Sequence, residues 1–144
     1  MKKRSKGFTL MELLAIIVIL AIIAVITIPI MLNVIDNARR GTAQDSAYGY
    51  KDAISKYYVT EMFKENNMTL NGDYTVDSNG VLSNENERHE IMFSGTKPKD
   101  GYLTYSNNVL VSGCLTVDDY KIEFKDGETS KVEHGKCENV VPTP

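Results

Sequence analysis

The sequence predicts an α+β protein: one long N-terminal helix, hydrophobic in its first half and kinked near Pro29, packed on a small antiparallel β-sheet. Three observations predict it. From Leu13 to Leu32 every residue is apolar except Thr27 and Pro29, and none is charged. Beyond that run, apolar residues recur at mixed three- and four-residue steps with charge between them, the mark of a helix with one buried face. After Gly72 the pattern changes to short alternating segments bounded by turn-forming residues. Strands that follow a long helix, rather than alternating with helices, argue for an antiparallel sheet.

The apolar run comes first because it constrains everything else. Twenty helical residues at about 1.5 Å each make about 30 Å, the thickness of a bilayer's hydrocarbon core. A chain of 144 residues is too small to bury such a helix inside itself. Residues 8–32 are therefore expected to be a transmembrane segment. Lys2, Lys3, Arg4 and Lys6 precede it, whereas Arg39 and Arg40 lie several residues beyond it with Asp36 between. The stronger basic cluster stays on the cytoplasmic side, so the N-terminus is expected in the cytoplasm and the bulk of the chain outside. Pro29 lacks a backbone N–H and interrupts the intrahelical ladder, which places a bend there.

Residues 33–66 are read as the amphipathic half of the same helix, which runs over roughly 8–65. Its expected inner face carries Val34, Ala38, Ala47, Ile54, Tyr57, Tyr58 and Met62. Gly41 and Gly49 weaken it locally, and Asn66-Asn67 with Asn71-Gly72 form its stop region. Residues 67–144 are read as a β-rich globular part. Asp73–Val76 and Val81–Leu82 flank the turn sequence Asp77-Ser78-Asn79-Gly80. Further strands are expected at Glu90–Phe93, Tyr102–Tyr105, Val109–Val111, Leu115–Val117, Tyr120–Phe124 and Ser130–Val132. Asp126-Gly127 is a hairpin signal between the last two. Pro142-Thr143-Pro144 reads as a frayed tail.

Cys114 and Cys137 are the two cysteines, and both fall in the exported part. An even count in an oxidising compartment favours one disulfide, with two unpaired thiols as the alternative. Closing that loop contributes roughly 3–4 kcal/mol in the chain-entropy model.

The N-terminal segment departs from a secretory signal, whose apolar stretch is shorter and is followed by a small-x-small cleavage site. Instead, Gly7-Phe8-Thr9-Leu10-Met11-Glu12 follows a basic leader and directly precedes the apolar run. As a set, these residues resemble the processing site of type IV prepilins, the class III signal peptide of pilins and pseudopilins. The resemblance is close over roughly residues 1–40 and architectural beyond. It implies a pilin-like fold and a leader of residues 1–7 that a prepilin peptidase cuts between Gly7 and Phe8. The same enzyme, as methyltransferase, then methylates the new amino terminus at Phe8. It also implies that Glu12 matches the family's acidic residue and Pro29 its helix proline. Many pilins carry a glycine partway along the apolar stretch, where this chain has Ala21 and aliphatic neighbours.

Physical considerations agree with the resemblance. Cutting at Gly7 removes four of the 16 Lys and Arg and none of the 19 Asp and Glu, leaving 12 against 19. The charges that hold the N-terminus at the cytoplasmic face leave with the leader. Glycine at the cut carries no side chain to obstruct the backbone. A carboxylate beside an apolar span is costly and usually faces a partner. The partner implied for Glu12 is the amino terminus at Phe8 of a neighbouring subunit, an ion pair that sets subunit register; the plainer alternative is contact with headgroups or water.

Other chemistry is weak. His89 and His134 lack the spacing of a zinc site and are expected to face solvent. Cys114 and Cys137 are too far apart for a paired metal motif. Asp118, Asp119, Glu123, Asp126 and Glu128 make an acidic patch for which calcium is the fitting cation. Asp77-Ser78-Asn79-Gly80 starts like a calcium loop, but Asn86 stands where its closing glutamate belongs. Solvated turns are the better reading of both, so no metal, cofactor or catalytic residue is expected and the chain is not read as an enzyme. No Gly-rich phosphate loop appears, which assigns any assembly ATPase to another protein. Arg39-Arg40 with Lys97 and Lys99 is a thin basis for nucleic acid.

The function expected is a structural subunit of a type IV pilus, serving adhesion, motility or aggregation. Its partners are then copies of itself in a helical filament, the peptidase, the pilus assembly platform and its ATPase, and the cytoplasmic membrane before export to the cell surface. One alternative is a pseudopilin of a type II secretion or competence apparatus. Another, of a different class, is a signal-anchored extracytoplasmic binding or enzyme domain.

Overall fold

The computed structural model describes residues 7–64 and 69–138. The leader residues before Gly7, the Asn66-Asn67 stop signal and the closing 142–144 tail lie outside the described residues. The described residues form one α-helix, α1 (Leu10–Lys64), and seven strands: β1 (Gly72–Val76), β2 (Val81–Ser83), β3 (Arg88–Glu90), β4 (Asp100–Ser106), β5 (Val109–Val117), β6 (Tyr120–Lys125) and β7 (Glu128–His134). The fold is α+β, as predicted. The contacts divide the chain into two units, one ending at Ala38 and one beginning at Arg39.

Within the first unit the chain is helical from Leu10 on, and no apolar residue among those described is covered. Its large hydrophobics are all exposed, from Leu10 at 86% to Ile35 at 43%. Mean hydropathy reaches 3.3 over an 18-residue window, and none of that window is buried. Thr27, the one hydroxyl of the run, donates to the Ile23 carbonyl at 2.6 Å and so satisfies its polarity within the helix. Pro29 lies inside α1 and deprives the Val25 carbonyl of its usual donor.

The second unit packs the rest of α1 on the sheet. Its buried helical residues are Ala43, Ala47, Tyr50, Ile54 and Tyr58, at steps of four and three that make one stripe. Ala47, Ile54 and Tyr58 lie on the expected face, and the rest of that face is corrected. Val34 is 62% exposed and Met62 42% exposed, while Ala43 and Tyr50 are fully buried.

The sheet has the order β3-β2-β1-β4-β5-β6-β7, antiparallel throughout. Neighbours in sequence pair directly except after β3, where the chain returns past β2 and β1 to begin β4. Tyr74, Leu103, Tyr105, Leu115, Ile122 and Phe124 form the layer beneath the helix. The hairpins turn on residues that tolerate positive φ: Asn107 and Asn108 (φ 50 and 68) between β4 and β5, Asp126 and Gly127 (φ 52 and 80) between β6 and β7.

Two expected strand boundaries are corrected. Val109–Val111 and Leu115–Val117 are parts of one strand, β5, because Gly113 lets it pass close against β4. A Cβ at that position would lie 2.6 Å from Leu103 Cδ2 and 2.8 Å from the Tyr102 carbonyl oxygen. Glu90–Phe93 is not a strand; the ladder runs over Arg88–Glu90, and Ile91, 1% exposed, leaves it to fill the core.

Cys114 and Cys137 are joined by a disulfide with Cα atoms 5.8 Å apart. Thr116, beside it and fully buried, donates to Asp100 Oδ1 at 2.5 Å and accepts the Cys137 N–H at 2.8 Å. The end of the described chain is therefore held to β5 by one covalent and one polar contact.

Gly113→Ala is expected to cost about 1–3 kcal/mol by overpacking. Gly41→Ala, where a Cβ meets nothing within 4 Å, is expected to be neutral or stabilising. Thermal unfolding of the full chain in detergent checks both. In the same assay, replacing Cys114 and Cys137 by serine is expected to cost about 2–5 kcal/mol.

Candidate functional site at the amino-terminal helix

Gly7, Phe8 and Thr9 precede the helix and are exposed, Phe8 at 81%. The Gly7–Phe8 bond thus lies in non-helical backbone that an enzyme can reach. The helix begins at Leu10 through a reciprocal pair of bonds. Thr9 Oγ1 accepts the Glu12 N–H at 3.2 Å, and Glu12 Oε2 accepts the Thr9 N–H at 2.8 Å. Thr9 O accepts from the Leu13 N–H at 3.2 Å, closing the first turn. This is a capping box, which satisfies helix-end donors that otherwise have no partner. The sequence reading assigned Glu12 but missed Thr9, although a threonine three residues before a glutamate at the head of an apolar run carries that signal.

Glu12 has no ion-pair partner among the described residues. Its charge sits at the positive end of the helix dipole, which favours a carboxylate. One oxygen holds the Thr9 amide and the other remains open. The arrangement keeps a negative charge three residues from the Thr9 amide and next to the backbone that begins at Phe8.

The remaining candidates fall in the second unit and serve its packing. His89 is a correction: it is 8% exposed, not solvent-facing. Its Nδ1 lies 3.2 Å from the Tyr57 hydroxyl and its Nε2 3.2 Å from Glu87 Oε2, and its ring packs against Tyr57 and Tyr58. A three-residue edge strand needs such a plug to stay on the helix. His134 is exposed and lies over Tyr120 with centroids 4.3 Å apart.

The acidic residues are dispersed into turns and ion pairs. Asp77 Oδ1 accepts the Asn79 and Val81 N–H groups while Oδ2 meets Arg88, so the sequence that resembled a calcium loop is a capped turn. Lys121 bridges Glu123 and Glu133 at 2.8 and 3.0 Å. Lys131 and Lys121 hold the Glu133 carboxyl below its ordinary range. No group of three or more metal-ligating side chains occurs among the described residues. Burial raises the phenols of Tyr50, Tyr58 and Tyr105 well above their ordinary range. Tyr50 also donates to the Gly80 carbonyl at 3.1 Å, a bond that ties helix to sheet.

Comparison with known proteins bears on the N-terminal segment. Residues 2–28 match the family model described as the prokaryotic N-terminal methylation motif. That motif is the class III signal peptide of type IV pilins and pseudopilins, as the sequence resemblance predicted. It supports a pilin or pseudopilin and points to a structural subunit made as a membrane-anchored precursor. It implies processing by prepilin peptidase and assembly into pilus or pseudopilus machinery. No curated protein and no solved structure matches the chain.

Thr9→Ala is expected to fray the start of α1, at about 0.5–2 kcal/mol. Faster amide exchange at residues 10–13 in detergent micelles, with the Tyr50–Tyr58 stretch unchanged, is the measurement. Raising the pH above about 10 is expected to lower stability. The buried phenols stay neutral in the folded state while the unfolded chain ionises, so each contributes stability below that pH that is lost above it, up to about 1.4 kcal/mol per pH unit. Phenolate absorbance followed together with the unfolding temperature reads both effects.

Proposed function

We propose that the chain is a structural subunit of a type IV pilus. The observation that carries this reading is the methylation motif at residues 2–28, which runs into a first half of α1 that is apolar on every side and covered nowhere. In the precursor, residues 8–32 reside in the cytoplasmic membrane. Cleavage between Gly7 and Phe8 removes residues 1–7 and leaves a methylated, still cationic amine at Phe8. In the filament, residues 8–32 of many copies cover one another and replace lipid as the apolar surroundings.

Glu12 then acquires its role. A carboxylate in an apolar bundle requires a cation, and the Phe8 amine of a neighbouring subunit supplies one. Mispairing by one subunit leaves both charges desolvated and alone, so the pair sets register. The capping bond from Thr9 presents the carboxylate at the helix start, where the amine of another copy can meet its open oxygen. Pro29 lets the helix bend between its buried and exported halves. The disulfide and sheet of residues 67–144 make a head stable enough to serve as an outer surface for adhesion. Head-to-tail contacts of this kind do not close on themselves and therefore grow filaments.

Mass analysis of protein sheared from the cell surface is the test. A terminal peptide starting at methylated Phe8 in the sheared fraction is the expected result. The same peptide confined to the cell envelope would assign the chain to a secretion or competence pseudopilus. An intact leader found only in membranes would overturn both in favour of a signal-anchored domain. Glu12→Gln, which keeps the cap but not the charge, is expected to be cleaved normally and to fail to assemble.

A further inference from the structure

One chain of hydrogen-bonded side chains in the unit beginning at Arg39 has a chemistry that packing does not use. The Tyr57 hydroxyl lies 3.2 Å from His89 Nδ1, and His89 Nε2 lies 3.2 Å from Glu87 Oε2. A carboxylate only accepts, so in the neutral imidazole Nε2 carries the proton and Nδ1 is bare. Tyr57 is then the donor, and its phenolic hydrogen is directed to a base. The imidazole is fixed in that orientation: its ring packs on Tyr58 with centroids 5.4 Å apart, and 8% of the residue is exposed. A hydroxyl, a base and an orienting carboxylate in hydrogen-bond succession form the arrangement that activates a nucleophile.

The relay adjoins a groove. Tyr57, half-buried, lines a space of ≈ 660 Å³ between the Gly49–Lys64 stretch of α1 and the loop after β3. Met92 and Phe93 give that space apolar surface. Asp52, Glu61 and Glu90 outnumber Lys56 and Lys64 along it, and Lys64 is paired with Glu61 at 2.9 Å. Such a lining repels a polyanionic phosphoryl donor and admits a neutral, apolar molecule. Burial raises the Tyr57 phenol above its ordinary range, and Glu61 adds to the effect. At neutral pH the hydroxyl therefore keeps its proton, and it reacts where a base takes that proton as the new bond forms. His89 holds that position.

We propose that Tyr57 is a modification site, acylated by neutral activated esters that enter the groove. Tyr57 Oη attacks the ester carbonyl carbon while its proton moves to His89 Nδ1, and Glu87 holds the resulting imidazolium. The bond from that carbon to the leaving oxygen then breaks, and the proton passes from Nδ1 to the departing oxygen. Ester and phenol become a tyrosyl ester and a free alcohol, with no net change of charge and no further reactant. Glu87 acts through His89 as a positioning residue. The inference stands apart from the filament reading, since the relay and the groove belong to one chain.

The test treats the full chain in detergent with para-nitrophenyl acetate and maps acetyl groups by peptide mass analysis. Tyr102 is the internal reference: it is also half-buried and lines a cleft, and no imidazole is among that cleft's lining residues. Tyr57 is expected to be acetylated about 10²-fold faster than Tyr102. His89→Gln, which keeps an acceptor for the Tyr57 hydroxyl but supplies no base, is expected to bring Tyr57 down to the rate of Tyr102. Glu87→Gln changes a side chain that is 45% exposed and serves where His89→Gln does not fold. It is expected to keep the unfolding temperature and slow Tyr57 about ten-fold or more, while the imidazole nitrogen shifts report the proton moving from Nε2 to Nδ1. Acetyl confined to lysines in the folded parental chain, or equal rates at Tyr57 and Tyr102, would overturn the proposal. So would an unchanged Tyr57 rate in folded Glu87→Gln.

Discussion

An apolar helix that has nothing of its own to cover it is the constraint on which the rest of the molecule depends. Between Leu13 and Leu32 no face is polar, so the usual solution of a small protein, burying one stripe and wetting the other, is closed to it. Lipid and other copies of the same helix are the surroundings that fit. In lipid the backbone must satisfy its own hydrogen bonds, which keeps this stretch helical and explains why Thr27 returns its hydroxyl to the Ile23 carbonyl. The capping box at Thr9 and Glu12 solves the same problem at the helix end, where donors otherwise face an apolar phase.

The second unit is built on opposite terms. Its helical stripe is narrow, beginning at Ala43, and its sheet shields that stripe while leaving polar residues outward. Polar groups inside it are few and mostly paired. Thr116 joins Asp100 to Cys137, Tyr48 accepts the Thr129 N–H at 2.8 Å, and Tyr50 reaches Gly80. These bonds span long stretches of sequence, so they resist separation of helix from sheet. The disulfide acts in the same direction by shortening the unfolded chain. One protein thus combines an apolar segment that nothing of its own covers with a unit that carries its own core.

Much of this was legible in the residues. The span, the strand-rich remainder, the Asp126-Gly127 hairpin and the processing motif all announce themselves in contiguous stretches. The helical face was less legible, because alanine marks a buried position only where a sheet lies close enough to need it. Val34 and Met62 fit the helical period as well as Ala43 and Tyr50 do, yet α1 is packed on the sheet only over the latter. His89 looked like a surface residue because its surroundings in sequence, Glu87, Arg88 and Glu90, are charged. The period of two on β3 turns it inward between them.

By itself the sequence determined what depends on local pattern: an uncharged run long enough to cross a bilayer, a methylation motif that leads into it, and a succession of short strands behind. Two cysteines left one intramolecular pairing. Only the tertiary structure decided which helical stripe is covered, that β3 returns past two strands to β4, that Gly113 merges two strand signals into one, and that Met92 is exposed between a buried Ile91 and a half-buried Phe93. These depend on cross-strand register and on distances between residues far apart in the chain. Such terms arise when elements meet and leave no periodic trace in the sequence of either one.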